Sequence, residues 1–183
     1  MLARVLLAGL MLFISQQSVL AANGFDMTAD KFRAALNMRL KQDGRELISS
    51  CRSGRAQLIC RFRGDPNAGA GGLLGHIDHS EHMTLEIDGK SLAQITLNGQ
   101  RNSPAALRHF TGIVTSAVGA LSPGADAGKI AGMVAGLGLA RDDNSPNIGE
   151  SMSQDAAFGT ISCTSQYSKV ATDVACMILP KSP

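Results

Sequence analysis

The sequence predicts an α+β protein, with one antiparallel sheet of disulfide-stapled hairpins and helices packed on one face. Two segments alternate apolar and polar residues on either side of a turn, and each carries a pair of cysteines. Three other segments repeat apolar residues at helical spacing. The predicted order is a helix, four strands in two hairpins, two helices and a final pair of strands, which fits a single sheet with helices on one side.

The first stapled hairpin spans residues 47–63. Side chains alternate between the two faces of a strand, so Cys51 opposite Cys60 produces one apolar face and one basic face. Directly opposed Cβ atoms come within disulfide range after a slight adjustment. The same register sets Ser49 opposite Phe62. The second face then carries three arginines beside two isoleucines, namely Arg52, Arg61 and Arg63 with Ile48 and Ile59.

The second stapled hairpin spans residues 161–179, with Cys163 opposite Cys176 across a longer loop. Four cysteines in an exported protein favour two disulfides. The alternative is a zinc site, but the pairs are nine and thirteen residues apart and form no C-x-x-C motif. If both disulfides form, no cysteine is left to act as a nucleophile.

Residues 1–22 are predicted to be a cleaved signal peptide. Arg4 supplies a positive charge, residues 5–14 are an apolar run, and Ala21 fits the small-residue pattern before a cleavage site. An uncleaved membrane anchor is the alternative, but this run is too short to span a bilayer, which takes about 20 residues. We therefore expect residues 23–183 to form a single exported domain, periplasmic or secreted, with no later transmembrane segment.

The remaining elements follow from spacing and from cap and turn residues. Thr28 and Ser103 are predicted helix N-caps, and Asp88-Gly89 is a hairpin turn. Helices are predicted at about 28–44, 103–121 and 126–137, further strands at 83–88 and 93–97, and loops at 64–82 and 141–157. The helix-then-stapled-hairpin layout occurs twice. In layout it is similar to bacterial inhibitor proteins built of tandem helix-and-hairpin units with one disulfide each, which implies an inhibitor or accessory role.

A histidine cluster is the most specific local pattern. His76, His79 and His82 are spaced three residues apart, so on a helical turn they would lie on roughly one face. Imidazole ligands at this spacing suit zinc or copper, which makes a periplasmic metal-binding protein the alternative function. The other interpretation is a solvated polar loop that leads into a strand.

A basic stretch indicates a different kind of binding. Residues 31–63 contain nine basic and two acidic residues, a net charge of +7, whereas the whole chain carries only +2. Such asymmetry suits an anionic partner, and the alternative is a solvated face whose charges prevent aggregation. Nucleic acid is not expected, because the chain has no Trp and only one Tyr for stacking on bases.

No motif for catalysis is recognisable, and His109, next to the apolar Phe110, is expected at the surface or its boundary. Gly128, Gly132 and Gly136 form a ladder predicted to pack tightly on the sheet or the second helix, with membrane or oligomer contact as the alternative. We therefore expect a non-enzymatic, inhibitor-like binding protein of unknown protein or anionic partner. A hydrolase without a recognisable site is a third possibility.

Overall fold

The computed structural model describes residues 24–45, 47–62, 81–101, 103–139, 149–167 and 172–182. The predicted signal peptide, 1–22, and most of the predicted loops lie outside these residues. The α+β architecture is confirmed. The elements are α1 (Ala29–Gln42), β1 (Ile48–Ser53), β2 (Gln57–Phe62), β3 (His82–Asp88), β4 (Ser91–Gln100), α2 (Pro104–Leu121), α3 (Ala127–Gly136), β5 (Ser151–Ala156), β6 (Gly159–Tyr167) and β7 (Thr172–Pro180).

The strands form one antiparallel sheet in the order β1-β2-β3-β4-β7-β6-β5. The prediction of a loop over 141–157 was wrong for its last part, because β5 is a strand paired with β6. β5, with the sequence SMSQDA, lacks the apolar alternation from which strands are recognised. It lies at an edge of the sheet, and its hydrogen bonds to β6 define it as a strand.

Both disulfides lie on the face of the sheet that carries the core, and in the same row across it. Cys51 is opposite Cys60 and Cys163 opposite Cys176, and both bonds form as predicted. The row continues between them through Met83 and Leu97, each paired directly with its neighbours. The two disulfides therefore brace the two halves of the sheet at the same level beneath the helices.

The register of the first hairpin differs from the prediction at one point. A bulge at Ser49 sets Ile48, instead of Ser49, opposite Phe62. An extra residue in one strand reverses the face of the residues that precede it. Ile48 consequently packs against the core instead of lying beside the arginines. The Ser49 hydroxyl donates a hydrogen bond to the Arg61 carbonyl oxygen at 3.1 Å, which holds the bulge.

The helices begin as their cap residues predict. The Thr28 and Ser103 hydroxyls accept hydrogen bonds from the Lys31 and Ala106 N–H groups at 3.3 and 3.1 Å. α1 and α2 bury an apolar stripe against the sheet and each other, formed chiefly by Phe32, Leu36, Leu40, Leu107, Phe110, Val114 and Ala117. No helix in the described part of the chain is both long and apolar enough to cross a bilayer.

The glycine ladder of α3 makes one close contact with another element. A Cβ on Gly136 would lie 2.7 Å from the Gln154 Nε2 of β5, so this glycine lets the helix approach the sheet. Gly128 lies near only the Asp126 side chain that caps its own helix, and a Cβ on Gly132 would meet nothing within 4 Å. The predicted tight packing is therefore limited to Gly136 among the three glycines.

Gly99 provides a test of how α2 sits on the sheet. A Cβ at this position would lie 2.2 Å from the Phe110 ring. We expect Gly99→Ala to lower the free energy of unfolding by about 1–3 kcal/mol, because a buried aromatic ring would have to move. Gly132→Ala is the matched control, and should raise stability by up to about 1 kcal/mol because its site is open and helical. Equal effects in urea unfolding would show that Phe110 does not rest on Gly99.

Candidate functional site

The face of the sheet opposite the helices is open in the described part of the chain. Ser, Thr, Asn and Gln side chains dominate it, for example Thr84, Thr96, Asn98, Ser162 and Thr164, which occupy neighbouring strands. Its apolar residues are few, and Met177 and Leu179 are 41% and 42% exposed. A broad polar face of this kind suits contact with another macromolecule better than enclosure of a small substrate.

Two of the three predicted arginines lie together on this open face. Arg52 pairs with Ile59 and Arg61 pairs with Ser50, so both arginines project from the same side of the β1–β2 hairpin. Both are exposed, and the Cys51–Cys60 bond lies on the opposite side between them. Arg63 lies outside the described residues. We call Arg52 and Arg61 the basic hairpin surface.

The histidine cluster is represented by His82 alone, because His76 and His79 lie outside the described residues. His82 is the first residue of β3, so at this end the cluster is strand and not helix. It pairs directly with Arg61, and a cation bound at His82 would lie close to that positive charge. The described residues include no group of three His, Cys, Asp or Glu side chains that could hold a metal ion.

Metal binding therefore stays a prediction with a direct test. If His76, His79 and His82 bind zinc or copper, calorimetry of residues 23–183 should show about one equivalent bound, and the triple alanine variant should show none. Arg108→Ala is the matched control, since it changes an exposed side chain outside the cluster and leaves the buried Glu81–His109 pair intact. Absence of binding heat in the unaltered protein would leave the solvated polar loop as the interpretation.

A buried Glu–His pair lies on the helix side of the sheet, where β3 begins. The Glu81 side chain is fully buried, and its Oε2 lies 2.5 Å from Nδ1 of His109 on α2. The His109 side chain is 23% exposed, which agrees with the expected position at the boundary between surface and core. Its partner was missed, because the sequence before Glu81 is rich in Gly and Ala and nothing local indicates the burial of this glutamate.

A second polar contact lies at the same end of the sheet. The Arg101 Nη1 donates to the Ser165 hydroxyl at 2.9 Å, which links the end of β4 to β6 across β7. Ser165 is 1% exposed, and burial lowers the pKa of Arg101 from its usual range. The guanidinium remains charged at neutral pH because its ordinary pKa is so high. These contacts tie α2, β3, β4 and β6 together at one end.

The Glu81–His109 pair can act structurally or chemically. A carboxylate that bonds Nδ1 orients the ring, as it does in catalytic and metal-binding histidines. In the described residues, the pair ties α2 to the start of β3, and the nearby Ser165 hydroxyl accepts a hydrogen bond from Arg101. We therefore treat the pair as a structural contact and place the candidate binding site at the basic hairpin surface.

Similarity to known proteins does not assign a function to either place. No family model matches the sequence, and no curated protein or solved structure is significantly similar to it. The assignment must therefore come from the chemistry of the surfaces. The chain is an α+β protein with two disulfide-stapled hairpins on a seven-stranded antiparallel sheet.

Proposed function

We propose that this chain is an exported, non-enzymatic binding protein of the inhibitor or accessory type, which docks an anionic protein partner on the basic hairpin surface. The observation that carries the proposal is the position of Arg52 and Arg61, which project together from the open face of a hairpin stapled on its other side. The two disulfides support export, because such bonds persist in oxidising compartments.

The staple supports binding by limiting the conformational freedom of the arginines. Cys51 and Cys60 are directly opposed, so their bond fixes the register of the strands that present Arg52 and Arg61. A binding surface that is ordered before contact loses less entropy when the partner docks. The arginines also belong to the stretch of net charge +7, which would steer an acidic partner toward this part of the molecule.

Charge reversal tests the proposal. We expect Arg52→Glu with Arg61→Glu to abolish capture of the partner from extracts of the exported fraction, and raised salt to weaken capture by the unaltered protein. Both residues are exposed, so thermal unfolding should change little.

Lys129→Glu is the matched control, because Lys129 is an exposed cation on α3, outside the basic hairpin surface. It should leave capture unchanged. A partner that binds the double variant and the unaltered protein equally would contradict the proposal. Turnover of a substrate by the purified domain in a hydrolase screen would contradict its non-enzymatic part.

A further inference from the structure

The two edges of the sheet differ in how they are closed to further strands. At the β1 edge the Ser49 bulge interrupts the strand, and the Ile48 N–H donates to the Asn37 Oδ1 of α1 at 3.0 Å. Bulges and side-chain caps of this kind prevent edge-to-edge pairing. The β1 edge is therefore protected against the addition of another strand.

Among the described residues, neither device is present at the β5 edge. Its pairing with β6 runs without interruption from Ser151 to Ala156. The polar side chains of its open face bond back to β6, with Ser153 Oγ 2.6 Å from Ser162 Oγ and Asp155 Oδ1 accepting from Thr160 Oγ1 at 2.7 Å. Within the described part of the chain, β6 is the only strand paired with β5. The outer backbone groups of β5 can therefore accept a further strand.

The helix face of β5 carries two apolar features that fit each other. Met152 is 38% exposed on this face, at one end of the strand. At the other end, a cavity of 610 Å³ is bordered by Ala156 and by Ile130 and Met133 of α3. Met152 and Ala156 are four residues apart, which is about 13 Å along a strand. An apolar side chain and an apolar cavity thus lie on the same face of a regular edge.

We propose that a second copy of this chain pairs with β5 antiparallel about a two-fold axis at Gln154. In this register Gln154 is opposite its own symmetry mate, and Met152 of each copy is opposite Ala156 of the other. Each Met152 then reaches the cavity beside Ile130 and Met133 of the partner. On the open face Ser153 is opposite Asp155, so a hydroxyl meets a carboxylate. The interface is self-complementary, as a two-fold contact requires.

The dimer would join two seven-stranded sheets into one sheet of fourteen strands, with both helix layers on the same side. A six-residue edge with two methionine contacts is small, so we expect a weak dimer that forms at micromolar or higher concentrations. The basic hairpin surfaces lie at the opposite edge of each copy. The inference therefore stands or fails independently of the proposed function.

Sedimentation velocity of residues 23–183 over about 1–300 µM should show a concentration-dependent dimer. Met152→Lys should raise the dissociation constant about tenfold or more, because a charge would enter the apolar contact at the edge. Met38→Lys is the matched control, since Met38 is 63% exposed on α1 and outside this edge, and it should leave the dimer unchanged.

Cross-linking tests the register. Gln154→Cys should form a disulfide with its symmetry mate on mild oxidation, because directly opposed Cβ atoms lie about 4.5–5.5 Å apart. Ser151→Cys should not, since in this register residue 151 is opposite residue 157 of the other copy, six strand positions or about 20 Å from its own mate. A protein that stays monomeric at every concentration would overturn the proposal. This holds even if an extended peptide of another protein binds to β5. A dimer that Met152→Lys does not weaken would also overturn it.

Discussion

Replacing His109 by alanine is expected to lower the free energy of unfolding by about 1–3 kcal/mol, although the residue lies at the boundary of the core. The reason is its partner. The fully buried Glu81 would lose the 2.5 Å contact from Nδ1 and keep its carboxyl group in the interior. The loss of a hydrogen-bond partner for a buried carboxyl group costs more than the loss of a surface contact.

Two variants distinguish this explanation from simple loss of packing. Arg108→Ala changes an exposed neighbour on α2 and should shift urea unfolding by less than about 0.5 kcal/mol. The double variant Glu81→Leu with His109→Leu removes both polar groups and should recover most of the stability lost by His109→Ala. If the double variant were less stable than His109→Ala, the stability lost in His109→Ala would not come from the buried Glu81 carboxyl group losing its contact with His109.

Removal of the Cys163–Cys176 bond is expected to cost about 3 kcal/mol, and somewhat more than removal of the Cys51–Cys60 bond. The bond closes a loop of thirteen residues instead of nine, and the loss of chain entropy in the unfolded state grows with loop length. Both of its cysteines are buried, at 1% and 0% exposure, whereas Cys51 is only partly buried. Alanine substitutions there also leave a cavity between β6 and β7.

Urea unfolding of the two double alanine variants measures this difference. Both should fold, because the core of either half of the sheet remains. Loss of Cys51–Cys60 should instead weaken partner binding more, since that bond holds the strands of Arg52 and Arg61. The expectation fails if removal of Cys51–Cys60 lowers the stability more than removal of Cys163–Cys176, or if removal of Cys163–Cys176 weakens binding more.

Short-range features of this protein could be predicted because neighbouring residues determine them. Thr28 and Ser103 cap their helices through N–H groups three residues away. Cys51 and Cys60 oppose each other because the strand period and a short turn leave few other registers. The predicted register was wrong at Ser49, because the bulge there depends on the packing of Ile48 against the core and not on the strand period. The positions of Arg52 and Arg61 on one face followed correctly, because the bulge comes before them.

Other features depended on contacts between distant segments. The strand order puts β7 between β4 and β6, and together with the register of each strand pair this brings both disulfides into one row. Glu81 became the buried partner of His109 because α2 packs over the start of β3, 28 residues away in sequence. β5 became a strand because β6 supplies its hydrogen bonds. The sequence by itself determined the caps, the two stapled hairpins and the cysteine pairing, whose energies are local. The tertiary structure decided the buried pair and the open edge, because burial and edge position belong to the assembled sheet and to no single segment.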